Sequence, residues 1–132
     1  MTKDATTGGR KYDLRDRLID FGVRVLGVVD ALPGGRVGNH IAGQRVRCGT
    51  SPAANYGEAL GAESRNDFLH KIRVVLKELR ETCVWLTFVQ RKSLIKPARR
   101  LNPLSGECNE LVAILAASVN TVQRNRKDAV RS

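Results

Sequence analysis

Residues 64–92, SRNDFLHKIRVVLKELRETCVWLTFVQRK, decide the fold class because they carry the most regular apolar pattern in the chain. Apolar side chains recur there at spacings of three and four residues, which places them on one face of an α-helix. Ser64 precedes the pattern as a predicted N-cap, and Asp67 forms a short-chain variant of the capping box. The segment therefore predicts a long helix 3 that ends near Lys92. Its apolar stripe is Phe68, Ile72, Val75, Leu79, Cys83 and Leu86.

Two helices are predicted before this segment. Helix 1 begins after Asp13, its predicted N-cap, and ends at Pro33-Gly34-Gly35. Helix 2 is predicted over residues 36–60 from rougher helical spacing among several glycines, and Pro52 is the expected position of a kink. The stripe of helix 1 is Leu14, Leu18, Phe21, Val25, Val28 and Leu32.

A fourth helix is predicted after a basic connection over residues 93–102. Asn102 is its predicted N-cap, and Pro103 takes the first helical position, where a missing backbone N–H costs nothing. The helix is expected to fray near Arg126. Its stripe is Leu104, Cys108, Leu111, Leu115, Ser118 and Val122.

Short connections between helices of similar length favour antiparallel neighbours. The predicted fold is therefore all-α, an antiparallel up-down four-helix bundle in one domain. The low aromatic content, 5%, agrees with an aliphatic core of this kind. We expect a disordered N-terminal tail over residues 1–11, the bundle over 12–126 and a basic C-terminal tail over 127–132.

The charge balance favours an anionic partner. The chain has 132 residues, with 23 Lys and Arg against 13 Asp and Glu, for a net charge of +10. Such an excess attracts polyanions at long range and is screened by salt. We expect nucleic acid or an acidic protein as partner; the alternative is a solvated surface that only keeps the protein soluble.

The sequence offers no catalytic or cofactor site. The cluster Gly34-Gly35-x-x-Gly38 follows a helix and lacks the Lys-Ser/Thr pair of a phosphate-binding loop, so it is interpreted as a turn. His40 and His70 lie outside any metal-ligand spacing. Glu78 and Glu81 are more readily ion-pair partners on an arginine-rich surface than a catalytic pair. We therefore predict a protein that is not an enzyme and binds no metal or cofactor.

The cysteines suggest a reducing compartment. Cys48, Cys83 and Cys108 form no CxxC pair and leave one thiol unpaired under any disulfide scheme. The N-terminus does not resemble a signal peptide, and no apolar run is long enough to cross a membrane. The expected state is three reduced thiols in a soluble, cytoplasmic protein.

Two kinds of outward surface are candidates for binding. Helix 1 carries a second apolar stripe roughly opposite its core face, and helix 3 carries a basic side and an acidic-aromatic side. Scattered surface aliphatics and a solvated charged face are the plain alternatives. We predict an oligomer interface at Ile19, Val23, Leu26, Val74, Glu78, Glu81, Trp85 and Phe88. We predict nucleic-acid contacts at Arg73, Lys77, Arg80, Arg91, Arg124, Arg126 and Lys127, with Arg99 and Arg100 as further cations suited to phosphate.

Three segments together resemble a known family: YDLRDRLIDFGVRVLGVVDALP (12–33), RCGTSPAANYGEALGAESRNDFLHKIRVVLKELRETCVWL (47–86) and ELVAILAASVNTVQRNR (110–126). They resemble the bacterial 23S rRNA intervening-sequence protein family over nearly the whole chain. The central block carries the family's S-G-T-S-x-x-A-N-Y pattern, with Cys48 where a serine is common and Pro52 at a variable position.

The resemblance implies a four-helix bundle that assembles as a ring-shaped homopentamer. These proteins are similar to the accessory protein of diversity-generating retroelements, which assists a reverse transcriptase and carries a basic, nucleic-acid-binding surface. The likeness implies no enzymatic activity.

Two functions from different classes remain open. One is a nucleic-acid-binding oligomer that contacts structured RNA, or an RNA–DNA intermediate, through phosphates. The other is an interaction scaffold whose basic surface meets an acidic protein, such as a reverse transcriptase.

Overall fold

The chain folds into four α-helices, as predicted, in a computed structural model that describes residues 13–34 and 36–131. Side chains are described throughout these ranges except at 36–38, 40–48 and 126–131. The helices are α1 (Leu14–Ala31), α2 (Arg36–Leu60), α3 (Arg65–Arg91) and α4 (Asn102–Arg131), with a short 3-10 helix (Ala98–Leu101) before α4. The two described ranges contain no strand. The predicted tail over residues 1–11 lies outside them.

Both predicted N-caps of well-defined helices are confirmed. The Asp13 Oδ1 accepts a hydrogen bond from the backbone N–H of Asp16 at 2.8 Å. The Ser64 Oγ accepts one from the backbone N–H of Asp67 at 3.0 Å. Each bond satisfies a donor that the first turn of a helix otherwise leaves unpaired, so both starts are fixed by local chemistry.

Each helix packs against the next one along the chain, and α1 also contacts α4. The contacts pair late residues of one helix with early residues of the next: Glu58 of α2 with Lys71 of α3, and Gln90 of α3 with Asn102 of α4. This pairing makes successive helices antiparallel, so the arrangement is up-down-up-down.

The core is mainly aliphatic, as predicted, and Phe21 and Trp85 are its buried aromatic side chains. The centres of the three predicted stripes are buried, and their ends, such as Leu14, Leu32 and Phe68, are partly buried against the core. In α4 the stripe continues at Val119, which is buried, while Ser118 is half-buried. The buried stripe residues are Leu18, Phe21, Val25, Ile72, Val75, Leu79, Leu86, Leu104, Cys108, Leu111 and Leu115.

Two glycines allow α1 and α2 to pack closely. A Cβ atom at Gly22 would lie 3.2 Å from the carbonyl oxygen of Gly49. A Cβ atom at Gly49 would overlap the side chain of Val25. The glycines that weaken the helical pattern of α2 thus include one that the packing requires. The helix also continues through Pro52, whose side chain is buried.

Both ends of α4 differ from the prediction. Asn102 has helical dihedral angles, φ −57° and ψ −45°, because the 3-10 helix leads directly into α4; it is not an N-cap. Its Oδ1 instead accepts a hydrogen bond from Nε2 of Gln90 at 2.6 Å. At the other end, α4 extends to Arg131 instead of fraying near Arg126.

The prediction of reduced thiols is wrong for two of the three cysteines. A disulfide joins Cys83 of α3 to Cys108 of α4, and their Cα atoms are 6.0 Å apart, within the usual range for such a bond. The two residues lie on the facing stripes of antiparallel neighbours, and the helix register brings them to the same level. Cys48 lies among the residues whose side chains are not described.

Among the described residues, no helix is long and apolar enough to cross a membrane.

Candidate nucleic-acid interface

The solvent-facing side of α3 carries a row of cations. Arg73, Lys77 and Arg80 are all exposed, as the sequence predicts from their spacing. Arg91 continues this face at the end of the helix and is also exposed. Of the other predicted contacts, Arg124 of α4 is exposed, whereas the side chains of Arg126 and Lys127 lie outside the described set.

These cations differ from two others that hold the bundle together. The Nη2 atom of Arg17 lies 2.7 Å from a carboxylate oxygen of Glu107 and 2.6 Å from one of Glu110, which ties α1 to α4. Hydrogen bonding to Glu107 raises the pKa of Arg17. Lys71 Nζ lies 2.7 Å from Glu58, and hydrogen bonding to that carboxylate raises the lysine pKa. The positive charges of Arg17 and Lys71 are therefore balanced by carboxylates within the protein.

No cation of the α3 row forms an ion pair with a described carboxylate. Glu78 lies on the same helix, but its carboxylate accepts a hydrogen bond from Nδ2 of Asn55 at 3.0 Å. The positive charge of Arg73, Lys77 and Arg80 is therefore directed to solvent, where phosphate groups can meet it.

The basic surface extends into the connection between α3 and α4. All five cations of this segment are exposed, and the sequence contains no Asp or Glu between Glu81 and Glu107. Lys92 and Lys96 were not among the predicted site residues. The signal that could have identified them is this long stretch free of acidic residues. It is visible in the sequence without assigning residues to the faces of a helix. The five cations are Arg91, Lys92, Lys96, Arg99 and Arg100.

The polar residues of the family-like central block have a structural role. Asn55 and Glu58 of α2 bond to Glu78 and Lys71 of α3, so they join the two helices. Tyr56 is partly buried against the core, and burial raises the pKa of its hydroxyl. None of these residues lies among the exposed cations.

The residues of the predicted oligomer interface differ in their exposure. On α1, Ile19 and Val23 are 44% and 61% exposed, while Leu26 is half-buried. On α3, Glu81 is exposed, and Val74 and Glu78 are half-buried.

The prediction that Trp85 lies exposed on this surface is wrong. This residue was expected to be an exposed contact residue, but it is only 4% exposed and belongs to the core cluster. A large aromatic ring beside the apolar stripe gains from burial, which the helical position alone did not show. Its Nε1–H has no hydrogen-bond partner among the described residues.

Next to Trp85, a shallow apolar groove opens on the surface of α3. Its volume is about 220 Å³, and Glu81, Val84, Trp85 and Phe88 line it. Val84 is 57% exposed and Phe88 is 69% exposed. Large apolar surface of this kind is favourable to cover, so the groove is a candidate contact site beside the cations.

Comparison with known proteins finds similarity to a solved structure. No family model matches the chain, and no curated protein does. A solved structure that is similar is that of a protein of unknown function from the S23 ribosomal protein family of Bacteroides thetaiotaomicron VPI-5482. The two share 28% sequence identity with a TM-score of 0.70, and the match covers 81% of this chain and 98% of the other. The similarity therefore extends over nearly the full length of that S23-family protein.

Proposed function

We propose that this chain is a non-enzymatic, oligomeric protein that binds the phosphate backbone of nucleic acid. The observation that supports it most is the unpaired row Arg73, Lys77 and Arg80, which continues into the acid-free connection after α3. Phosphates that meet these side chains release condensed counterions, and this release favours binding whatever the base sequence. Structured RNA or an RNA–DNA intermediate is the expected ligand class.

The direct test is a salt series on purified protein, with fluorescence anisotropy of labelled RNA and duplex DNA. We expect the logarithm of the affinity to fall linearly with the logarithm of salt concentration, by a slope of about 0.9 per phosphate contact on duplex DNA. Replacing Arg73 and Arg80 by Gln should flatten that slope and weaken binding about equally across sequences.

The matched control replaces Arg15 and Arg65 by Gln, which removes the same charge from exposed positions outside the row. It should have the smaller effect. If the wild type binds neither RNA nor DNA at low salt, the nucleic-acid proposal is wrong.

We also propose that the chain belongs to the S23 ribosomal protein family, on the strength of the neighbour described above. By the family resemblance in its sequence, we infer assembly into a ring-shaped homopentamer. The exposed aliphatic side chains of Ile19 and Val23 on α1 support an interface there, since contact with another copy removes them from water.

A second candidate function is an interaction scaffold for an acidic protein, such as a reverse transcriptase of a retroelement. The exposed groove at Val84 and Phe88 favours it, because protein interfaces are enriched in aromatic side chains and arginine. This function would be supported over the first by two results together. The wild type should bind a purified acidic protein but no nucleic acid, and substitutions in the groove should abolish binding of that protein.

A further inference from the structure

Phe88 is the most exposed of the large apolar side chains that the structure describes, at 69%. It lines the groove together with Val84, which lies one turn before it on the same helix. A phenyl ring held on a rigid helix in this way offers a flat face to a ligand.

Cations lie on both sides of this ring. Arg91 and Lys92 follow Phe88 by three and four residues, so they share its side of α3. In the other direction, Arg80 and Lys77 precede Val84 by four and seven residues and are exposed. The aromatic ring is therefore in the middle of a stripe whose two ends are positively charged.

One carboxylate limits where phosphates can lie. Glu81 lines the groove, and an ionised carboxylate has no N–H or O–H to donate to a phosphate. Phosphates are expected at the two basic ends, and an uncharged group is expected against Phe88. A nucleobase is such a group, and any base can stack because every base has a π-face.

We propose that the preferred ligand is single-stranded nucleic acid, with one unpaired base stacked on Phe88 and the neighbouring phosphates on the cations at either end of the stripe. This inference rests on the proposed function and assigns the binding to the unpaired segments of such nucleic acids. In a duplex the bases are already stacked and paired, so they cannot reach the groove without the cost of opening the helix.

The test measures binding of the full-length protein to a labelled single-stranded oligonucleotide and to a duplex of equal length at one salt concentration. We expect tighter binding to the single strand. Phe88→Ala should weaken single-strand binding about 5- to 100-fold and leave duplex binding nearly unchanged. Phe88→Trp should restore it, and Phe88→Leu, which is apolar without a π-face, should not.

Two further measurements separate stacking from its alternatives. Trp85 is the only tryptophan and lines the groove, so single-strand binding should quench its fluorescence in the wild type. Leu60→Ala, at another exposed apolar position at the end of α2, should leave single-strand binding intact.

Several results would overturn the inference. Equal wild-type affinity for single strand and duplex, with Phe88→Ala binding as Leu60→Ala does, would leave backbone binding in place and rule out stacking on Phe88. A fall in molecular mass of Phe88→Ala by light scattering, with an unchanged single-strand preference, would assign the groove to a second copy of the chain. No binding of any nucleic acid by the wild type would remove the proposed function together with the inference.

Discussion

At the scale of single residues, the close approach of α1 and α2 depends on glycines, which have no Cβ atom. Gly49 faces Val25 with no room for a methyl group, whereas Gly57, on the same helix, has nothing within 4 Å of the position a Cβ would take. Two glycines in one helix therefore have opposite expected responses to the same substitution.

We predict that Gly49→Ala lowers the free energy of unfolding by about 1–3 kcal/mol, because the added methyl forces Val25 or a helix backbone to move. Gly57→Ala should raise it by up to about 1 kcal/mol, because alanine loses less backbone entropy in a helix. Urea unfolding followed by circular dichroism measures both. Equal effects of the same sign would show that α1 and α2 do not approach closely at Gly49.

At the scale of helices, the sequence predicted what depends on period and local chemistry. The caps at Asp13 and Ser64 and the buried centres of the stripes follow from these alone. The sequence-based predictions were wrong for Trp85, Asn102 and the cysteine pair because each depends on a neighbouring element. Burial of Trp85 depends on the packing around it, Asn102 on the 3-10 helix before it, and the cysteine pair on the register of α3 and α4.

The candidate site follows the same division. The exposed row on α3 was predictable, because helical spacing and charge fix which residues share a face. The groove beside Phe88 was not, since the sequence alone does not show that Trp85 turns inward while Phe88 stays in water.

The disulfide leads to a prediction about α3 and α4. Cys83 and Cys108 close a loop with a sequence separation of 25, and a cross-link of that size stabilises a fold by about 3 kcal/mol, chiefly by restricting the unfolded chain. Dithiothreitol should therefore lower the melting temperature of the wild type but not of Cys83→Ser with Cys108→Ser. Cys48→Ser is the control and should keep the full response.

Intact mass spectrometry after alkylation of free thiols checks the pairing itself. Without reductant, only Cys48 should be alkylated in the unfolded wild type. Alkylation of all three cysteines would mean that the protein carries no disulfide.

At the scale of the whole molecule, the proposed assembly would bring together copies that each carry a net charge of +10 and exposed apolar residues on α1. A ring concentrates like charge, so copies of the chain repel one another unless apolar contacts or bound anions offset the repulsion. Salt screens this repulsion, and bound polyanion neutralises it.

We predict that gel filtration with light scattering gives a mass several times that of the monomer, and that salt or added nucleic acid stabilises the assembly. Val23→Glu should lower the assembly state while helicity is retained, because Val23 is 61% exposed and makes little contribution to the core. Arg15→Glu, on the same helix, serves as a control at an exposed polar position. A wild type that is monomeric at tens of micromolar would contradict the oligomer proposal.

The cross-link between Cys83 and Cys108 also changes what a protease can achieve. Arg91, Lys92, Arg99 and Arg100 are exposed trypsin sites, and all of them lie inside the loop that the disulfide closes. A cut there breaks the chain but does not release either half, because the two fragments stay covalently joined. Nicked protein should run as one band on a non-reducing gel and as two after reduction. The most basic segment of the protein can thus be cleaved while the helices on either side of it remain tethered.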